Sequence, residues 1–320
     1  MVAIGASMFF AAISGSGTAT VAAMGSILIP AMVAQGYDAG FSSALSAISG
    51  SLGTVIPPSI TFIIYGMITG ESIGDLFLSG IVPGLIFGFM LCIMVFIKSK
   101  KNGWKGETQR ASLKEIGRLF LDTIWGLLSP VIVLGGIYSG LFTPTEAAAV
   151  AVVYSLIVGI FIYKELRLAE LKETLFSTAK TTGMILLIIM NAGIFSWVLT
   201  QQGIAASLTE MALALTDNKY IMLVIINIVF LCAGCVMDNT SALYILVPII
   251  MPIAKALDIN MIQLGVILVL NLSIGQVTPP VGPNLYVAAD IGKVKFEEIC
   301  RKMVPLLLMS LLALLCITYI

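Results

Sequence analysis

Apolar runs broken by short clusters of Gly, Pro, Ser and Thr fill this chain, and the clusters recur at a fixed interval. Ser51–Ile60 reads SLGTVIPPSI and Ser273–Gly282 reads SIGQVTPPVG, so Ser51, Gly53, Val55, Pro57 and Pro58 recur as Ser273, Gly275, Val277, Pro279 and Pro280, 222 positions on. The register holds away from the motif, with Thr18 meeting Thr240, Pro30 meeting Pro252, and Val82-Pro83 meeting Val304-Pro305. A match at constant offset without insertion is an internal duplication. The chain opens inside the apolar run VAIGASMFFAAI, which lacks the charged start of a signal peptide. The register predicts at least about 40 further residues of the first copy upstream of Met1.

In the first copy, ISGSGTAT (residues 13–20) interrupts an apolar run with small and hydroxyl residues that favour a turn. A helix resumes over 18–34, Gly36 to Asp38 turns the chain, and 41–52 forms the next apolar segment. That segment falls short of the roughly 20 residues needed to cross a bilayer. Gly53 to Ser59 breaks it, and a further short piece covers 60–67. Residues 81–97 are long enough to span with their flanks. The second copy predicts a helix from about Tyr220, a break at Met237 to Ser241, a helix to Ala256, another over 261–275, a break at Gln276 to Gly282, and a last span over 303–320. Short apolar segments interrupted at matching places in two repeats are the mark of discontinuous helices around a midplane site.

Between the copies, residues 98–122 carry Lys98, Lys100, Lys101, Lys105, Arg110, Lys114 and Arg118 against Glu107, Glu115 and Asp122. An excess of bases beside a span marks a cytoplasmic loop. Two spans follow at 123–140 and 145–163, with Glu146 in a first-turn position that suits capping better than an intramembrane function. Residues 164–180 read as an amphipathic interfacial helix. Residues 183–215 hold two apolar stretches separated by Gln201-Gln202-Gly203, as a re-entrant hairpin or as a short span followed by an interfacial helix. The domains expected are therefore 1–97, an incomplete first repeat forming half of a transport domain; 98–182, a scaffold of basic loop, two spans and arm helix; and 183–320, the second repeat with the final span.

Composition fixes the class. Hydrophobic residues make up 59% of the chain, charged residues 11%, and the mean hydropathy is +1.06, which describes an all-α polytopic membrane protein whose backbone must be satisfied internally. Formal net charge is zero, so nothing points to nucleic acid. Cys92, Cys232, Cys235, Cys300 and Cys316 lie in or beside apolar segments; with no histidine and no second CxxC, buried thiols explain them better than a metal or redox site. An enzyme would need a nucleophile with a base, and the breaks hold neither Ser-Lys nor paired Asp. A purely structural membrane subunit would not need paired half-helices.

Each break frees backbone carbonyls at the end of one half-helix and N–H groups at the start of the next. Carbonyls suit a small hard cation, amides suit a carboxylate, and the hydroxyls of Ser14, Ser16, Thr18, Thr54, Ser59, Thr240, Ser241, Ser273 and Thr278 can serve either. Tandem prolines hold such a gap open, because they lack N–H groups and push the preceding residue out of the helical region. Asp238 stands at a break as a candidate for cation or proton coupling, or as a helix cap; both readings fit. Its counterpart is Ser16, and neither break holds Lys or Arg, so an anionic substrate would rest on helix N-termini and hydroxyls.

ISGSGTAT followed by GSILIPAM, GTVIPPS with Tyr65-Gly66, LGGIYSGLFTPTEAAAVAVVYSL (134–156), MDNTSALYILVPIIMPIA (237–254) and VTPPVGPNLYVA (277–288) together resemble the large membrane subunit of tripartite ATP-independent periplasmic (TRAP) transporters. The resemblance implies an elevator-type, sodium-coupled symporter with inverted repeats and re-entrant hairpins in a bacterial inner membrane. It implies import of organic acids of the C4-dicarboxylate or sialic-acid type, a periplasmic solute-binding protein, a small four-helix membrane subunit, and no cofactor beyond Na⁺ as the coupling ion. Sodium would sit at Ser14, Gly15, Ser16, Gly17 and Thr18 with Gly53 and Pro57, and at Asp238 and Thr240 with Gly275, Thr278 and Pro279. Substrate would meet Ser14, Ser16, Thr54, Ser59, Asn239, Thr240, Ser241, Thr278 and Asn284. An inverted-repeat carboxylate carrier without a binding protein, or a non-transporting membrane fragment, are the alternatives.

Overall fold

The computed structural model describes residues 1–104 and 112–319, and among them it contains helices and no strand. Lys105, Glu107 and Arg110 of the basic loop and the terminal Ile320 lie outside the described residues. The helices are α1 (Val2–Ser14), α2 (Gly17–Ala34), α3 (Ala39–Ser51), α4 (Ile60–Thr69), α5 (Ile73–Asn102), α6 (Leu113–Tyr138), α7 (Pro144–Ile157), α8 (Leu168–Gln201), α9 (Ile204–Leu215), α10 (Lys219–Gly234), α11 (Asn239–Ala256), α12 (Met261–Gly275), α13 (Pro283–Gly292) and α14 (Phe296–Tyr319). A 3₁₀ turn over Leu52–Thr54 extends α3, and a π-helical turn over Val158–Ile162 extends α7. Seven helices among the described residues are long and apolar enough to cross a bilayer, as a multi-pass membrane protein requires.

The chain divides into two units, one of Met1–Gly106 with Asn191–Ile320 and one of Glu107–Met190. In the smaller unit, α6 packs against α7. The start of α7 is a capping box: the Thr143 hydroxyl accepts the Glu146 N–H, and the Glu146 carboxylate accepts the Thr143 N–H at 2.8 Å. Glu146 is thus a cap, the better of its two sequence readings.

In the larger unit the duplication is visible element by element. Displaced by 222 residues, α2 falls on α11 with the same two end positions, and the starts of α3 and α12 coincide. Packing between the copies is reciprocal. The half-helix α13 lies against α2 and α3, and its counterpart α4 lies against α11 and α12; α14 packs on α3, and α5 on α12. At the centre, every residue of α3 from Gly40 to Ser51 and every residue of α12 from Leu264 to Gly275 is buried. There the Ser273 hydroxyl donates to the Ser51 carbonyl at 2.8 Å, joining two equivalent positions.

Lipid chains are as apolar as leucine, so these contacts depend on close fit and buried hydrogen bonds rather than on escape from water. Small residues supply the fit, with Ser43 against Gly292, Ser46 against Gly25, and Gly234 against Gly275. Polar side chains supply bonds. Tyr65 on α4 donates to the Met261 carbonyl at 2.6 Å, and Asn271 on α12 donates to Asn227 on α10 at 2.6 Å, which in turn donates to Thr318 on α14.

Four elements differ from the sequence reading: α5, α6, α8, and α14, which begins at Phe296 rather than Met303. α5 begins at Ile73 rather than near Ile81, because Ser72 caps it by accepting the Asp75 N–H. α6 begins at Leu113 rather than Thr123 for the same reason, with Ser112 as its cap. The amphipathic segment 164–180 is not a separate helix: from Leu168 it runs on through the next apolar stretch as α8. No proline lies between the two, and the helix meets no breaker until Gln202-Gly203. α9 then packs on α11.

The Gly234–Gly275 crossing yields a direct test. A Cβ on Gly275 would lie 2.5 Å from the Gly234 backbone, whereas one on Gly5 would meet nothing within 4 Å. Gly275→Ala should destabilise the protein by about 1–3 kcal/mol as overpacking. Gly5→Ala should be neutral or stabilising by up to about 1 kcal/mol. Thermal unfolding in detergent reads both.

Candidate functional site

Four interruptions define the site, and the structure distinguishes two kinds. α1 packs back on α2, and α10 on α11, as hairpins with tips at Gly15-Ser16 and 235–238. α3 and α4 make no comparable contact across 52–59, nor α12 and α13 across 276–282, so these are helices unwound in passing. Both unwound segments contain the Pro-Pro pairs, and both Pro–Pro bonds are cis.

At the first tip Gly15 ends α1 with φ 62°, a left-handed conformation that glycine adopts without steric cost. Ser16 is extended and precedes the first turn of α2. The Ser14 hydroxyl lies 2.6 Å from the Thr20 hydroxyl, and Thr20 donates to the Ser16 carbonyl at 2.8 Å. The unwound segment of α3 closes on this tip. Ile60 N–H donates to the Gly15 carbonyl at 3.3 Å, and a Cβ on Gly53 would lie 2.6 Å from both the Ser16 carbonyl oxygen and Thr20 Oγ1. Inside that segment the Ser59 hydroxyl donates to the Thr54 carbonyl at 2.5 Å, and the Thr54 hydroxyl to the Ser51 carbonyl at 2.8 Å. Gly15 and Ser16 are therefore gathered with Gly53, Pro58 and Ile60, and Ser14 joins them through Thr20.

The second pair meets in the same way. Val281 N–H donates to the Cys235 carbonyl at 3.2 Å, and Gly275 abuts Gly234. Thr278 turns its hydroxyl back to the Ile274 carbonyl, while Pro279 and Pro280 are exposed. Asp238 is the N-cap of α11: one carboxylate oxygen accepts the Ser241 N–H at 3.1 Å and the other its hydroxyl at 2.6 Å. Asp238 itself is exposed and Thr240 half-buried.

The two pairs also meet each other. Gly17, the first residue of α2, faces Gln276 Oε1 and Asn284 Nδ2 so closely that any side chain there would overlap Gln276. Asn284 donates from Nδ2 to Gln276 Oε1 at 3.3 Å and from its N–H to the Gln276 carbonyl at 3.1 Å. Its Oδ1 is buried without a protein partner, as are both amide atoms of Asn239, the counterpart of Gly17. Two residues central to these contacts, Thr20 and Gln276, were absent from the sequence-derived set. Thr20 ends the same hydroxyl-rich run, and Gln276 is the polar residue that closes an otherwise apolar helix; those were the available signals.

Apart from the Asp238 carboxylate, the donors are neutral oxygens and helix-terminal amides, and among the described residues no group of three or more His, Cys, Asp or Glu could hold a metal ion. Such a set suits a weakly bound monovalent cation and an anion at helix N-termini.

The family described as tripartite ATP-independent periplasmic transporter, DctM component, matches residues 1–320. The chain belongs to that family. It is therefore related to transporter permeases and is not an enzyme. It is 44% identical over 317 residues to an isethionate TRAP transporter permease protein of Oleidesulfovibrio alaskensis, covering 99% of this chain and 50% of that protein. It is 43% identical to the C4-dicarboxylate TRAP transporter large permease protein of Pseudomonas aeruginosa, covering 99% of this chain and 74% of that one. With the sialic acid TRAP transporter large permease protein of Vibrio cholerae it shares 37% identity over 94% of this chain and 70% of the relative. The chain thus spans half to three-quarters of the length of these relatives.

Gly17 tests whether the meeting of the pairs matters. Gly17→Ala must displace Gln276 and with it Asn284, so uptake by the assembled transporter should fall at least about ten-fold, on the order of 1.4 kcal/mol. Gly5→Ala on the neighbouring helix should leave uptake unchanged. Initial rates in proteoliposomes, normalised to folded protein, decide this.

Proposed function

We propose that this chain forms the substrate-translocating part of a sodium-coupled symporter that imports a small organic acid across a bacterial inner membrane. The convergence of the four interruptions carries this reading: two hairpin tips, each closed on an unwound helix, with the first pair touching the second through Gly17, Gln276 and Asn284. A coupled transporter must bind ion and solute together, and helix ends of both signs in one place allow it. The printed substrates of the relatives, isethionate, C4-dicarboxylate and sialic acid, are all organic acids, which supports that class. Delivery by a periplasmic solute-binding protein and assembly with a small four-helix membrane subunit belong to the same proposal, as does an elevator movement in which the unit carrying all four interruptions would move as one body.

The repeats are read as inverted in the membrane. The C-terminal turns of α5, around Lys98, and the N-terminal turns of its counterpart α14, around Arg301, line one pocket, and the two helices pack together, which supports opposite directions for them. Inverted repeats place equivalent positions on opposite faces, as alternating access requires.

Uptake of labelled organic acids by the assembled transporter, with and without sodium, tests the function; sodium-independent uptake would contradict the coupling. Asp238 sharpens it. Asparagine caps a helix about as well as aspartate, so Asp238→Asn should keep its thermal stability. Loss of the negative charge should raise the half-saturating sodium concentration about ten-fold, on the order of 1.4 kcal/mol. An unchanged sodium dependence would leave Asp238 as a cap alone.

A further inference from the structure

Away from the four interruptions, the larger unit has a pocket of about 400 Å³ where α5 ends, α14 begins and the turn between α2 and α3 passes. Asp38, Lys98, Asn102, Trp104, Arg301 and Lys302 line it. The charges are unequally engaged. Lys302 Nζ lies 3.0 Å from Asp38 Oδ1, and Asp38 also caps α3 by accepting the Phe41 N–H at 2.8 Å. Both contacts fall on the same Asp38 oxygen, and among the described residues no ion pair holds Lys98 or Arg301. Two bases thus share a pocket whose one lining carboxylate among the described residues, Asp38, is paired with Lys302.

The floor is aromatic. Trp104 sits between Tyr37 and Phe41, with ring centroids 5.0 Å away on each side. Trp and Tyr gather at the boundary between hydrocarbon and water. The neighbouring Lys100 and Lys101 assign this end of α5 to the cytoplasmic side, where anionic lipids are concentrated. Basic pockets between spans at that depth are suited to lipid headgroups.

We propose that this pocket binds a phosphate group, with Lys98 and Arg301 as its cationic ligands, Asn102 as a hydrogen-bonding partner, and the aromatic floor beneath the remainder of a phospholipid headgroup. Arginine can grip two phosphate oxygens at once, and lysine contributes a point charge. The site is separate from the proposed ion and substrate site, and its existence does not depend on that reading.

The test uses the purified transporter in nanodiscs of phosphatidylcholine with and without phosphatidylglycerol, with bound lipid counted by native mass spectrometry. The wild type should retain phosphatidylglycerol in preference to phosphatidylcholine. Lys98→Gln and Arg301→Gln should each lower that retention roughly five-fold, on the order of 1 kcal/mol per base, while Lys219→Gln, elsewhere on the unit, should not. A second arm titrates inorganic phosphate into phosphatidylcholine nanodiscs and follows it by ³¹P line broadening. Broadening that Lys98→Gln and Arg301→Gln abolish would keep the phosphate site and assign its source to soluble phosphate. Amine-reactive labelling of Lys98 in the wild type needs no variant, and phosphatidylglycerol or phosphate should slow it. Retention, broadening and labelling that are all indifferent to phosphate and to both substitutions would overturn the proposal.

Discussion

The bond from the Ser273 hydroxyl to the Ser51 carbonyl joins a position to its own counterpart. The buried stretches 40–51 of α3 and 264–275 of α12 meet there, beside the reciprocal packing of α13 on α2 and α4 on α11. Each unwound segment begins within one turn of this contact. The Ser51 carbonyl also accepts the Thr54 hydroxyl, so one oxygen ties this contact to the first interruption. Displacing α3 against α12 would shift both interruptions together.

Around that contact the site is made of groups that are individually weak. Neutral oxygens and amide dipoles bind a monovalent ion or a carboxylate modestly, and a buried polar group without a partner costs about 1–3 kcal/mol. Asn239 and the Oδ1 of Asn284 are buried there without a protein partner. In the proposed function such restraint matters, since a site that bound tightly would not release. Asymmetry between the copies adds what symmetry omits: Gly17 leaves room for Gln276 and Asn284, while its counterpart Asn239 brings an amide of its own.

Much of this was readable along the chain. The hydroxyl and proline clusters located all four interruptions, and the apolar run of the second copy gave both ends of α12 as found, because breakers act locally and the backbone obeys them. The early starts of α5 and α6 were missed since polar residues such as Ser72, Asp75 and Ser112 end an apolar pattern but begin a helix. α8 was divided for a similar reason: its polarity changes near Lys180, yet no residue there interrupts hydrogen bonding. A periodic pattern also cannot say which interruption touches which. The contact of Gly17 with Gln276 and Asn284 spans the two copies, so only the packing of α13 on α2 reveals it.

Replacing Pro57 with Pro58, or Pro279 with Pro280, by alanine pairs tests whether the matched unwound segments are kept open for binding. Each proline removed favours a helical backbone by up to about 3 kcal/mol, and a segment that closes consumes the carbonyls and amides it presented. Thermal stability in detergent is measured beside sodium-dependent uptake in proteoliposomes for both double variants. Retained stability with lost uptake, the same in both copies, is the predicted result. Lost stability with full uptake per folded molecule would contradict it, and would make the proline pairs a matter of architecture alone.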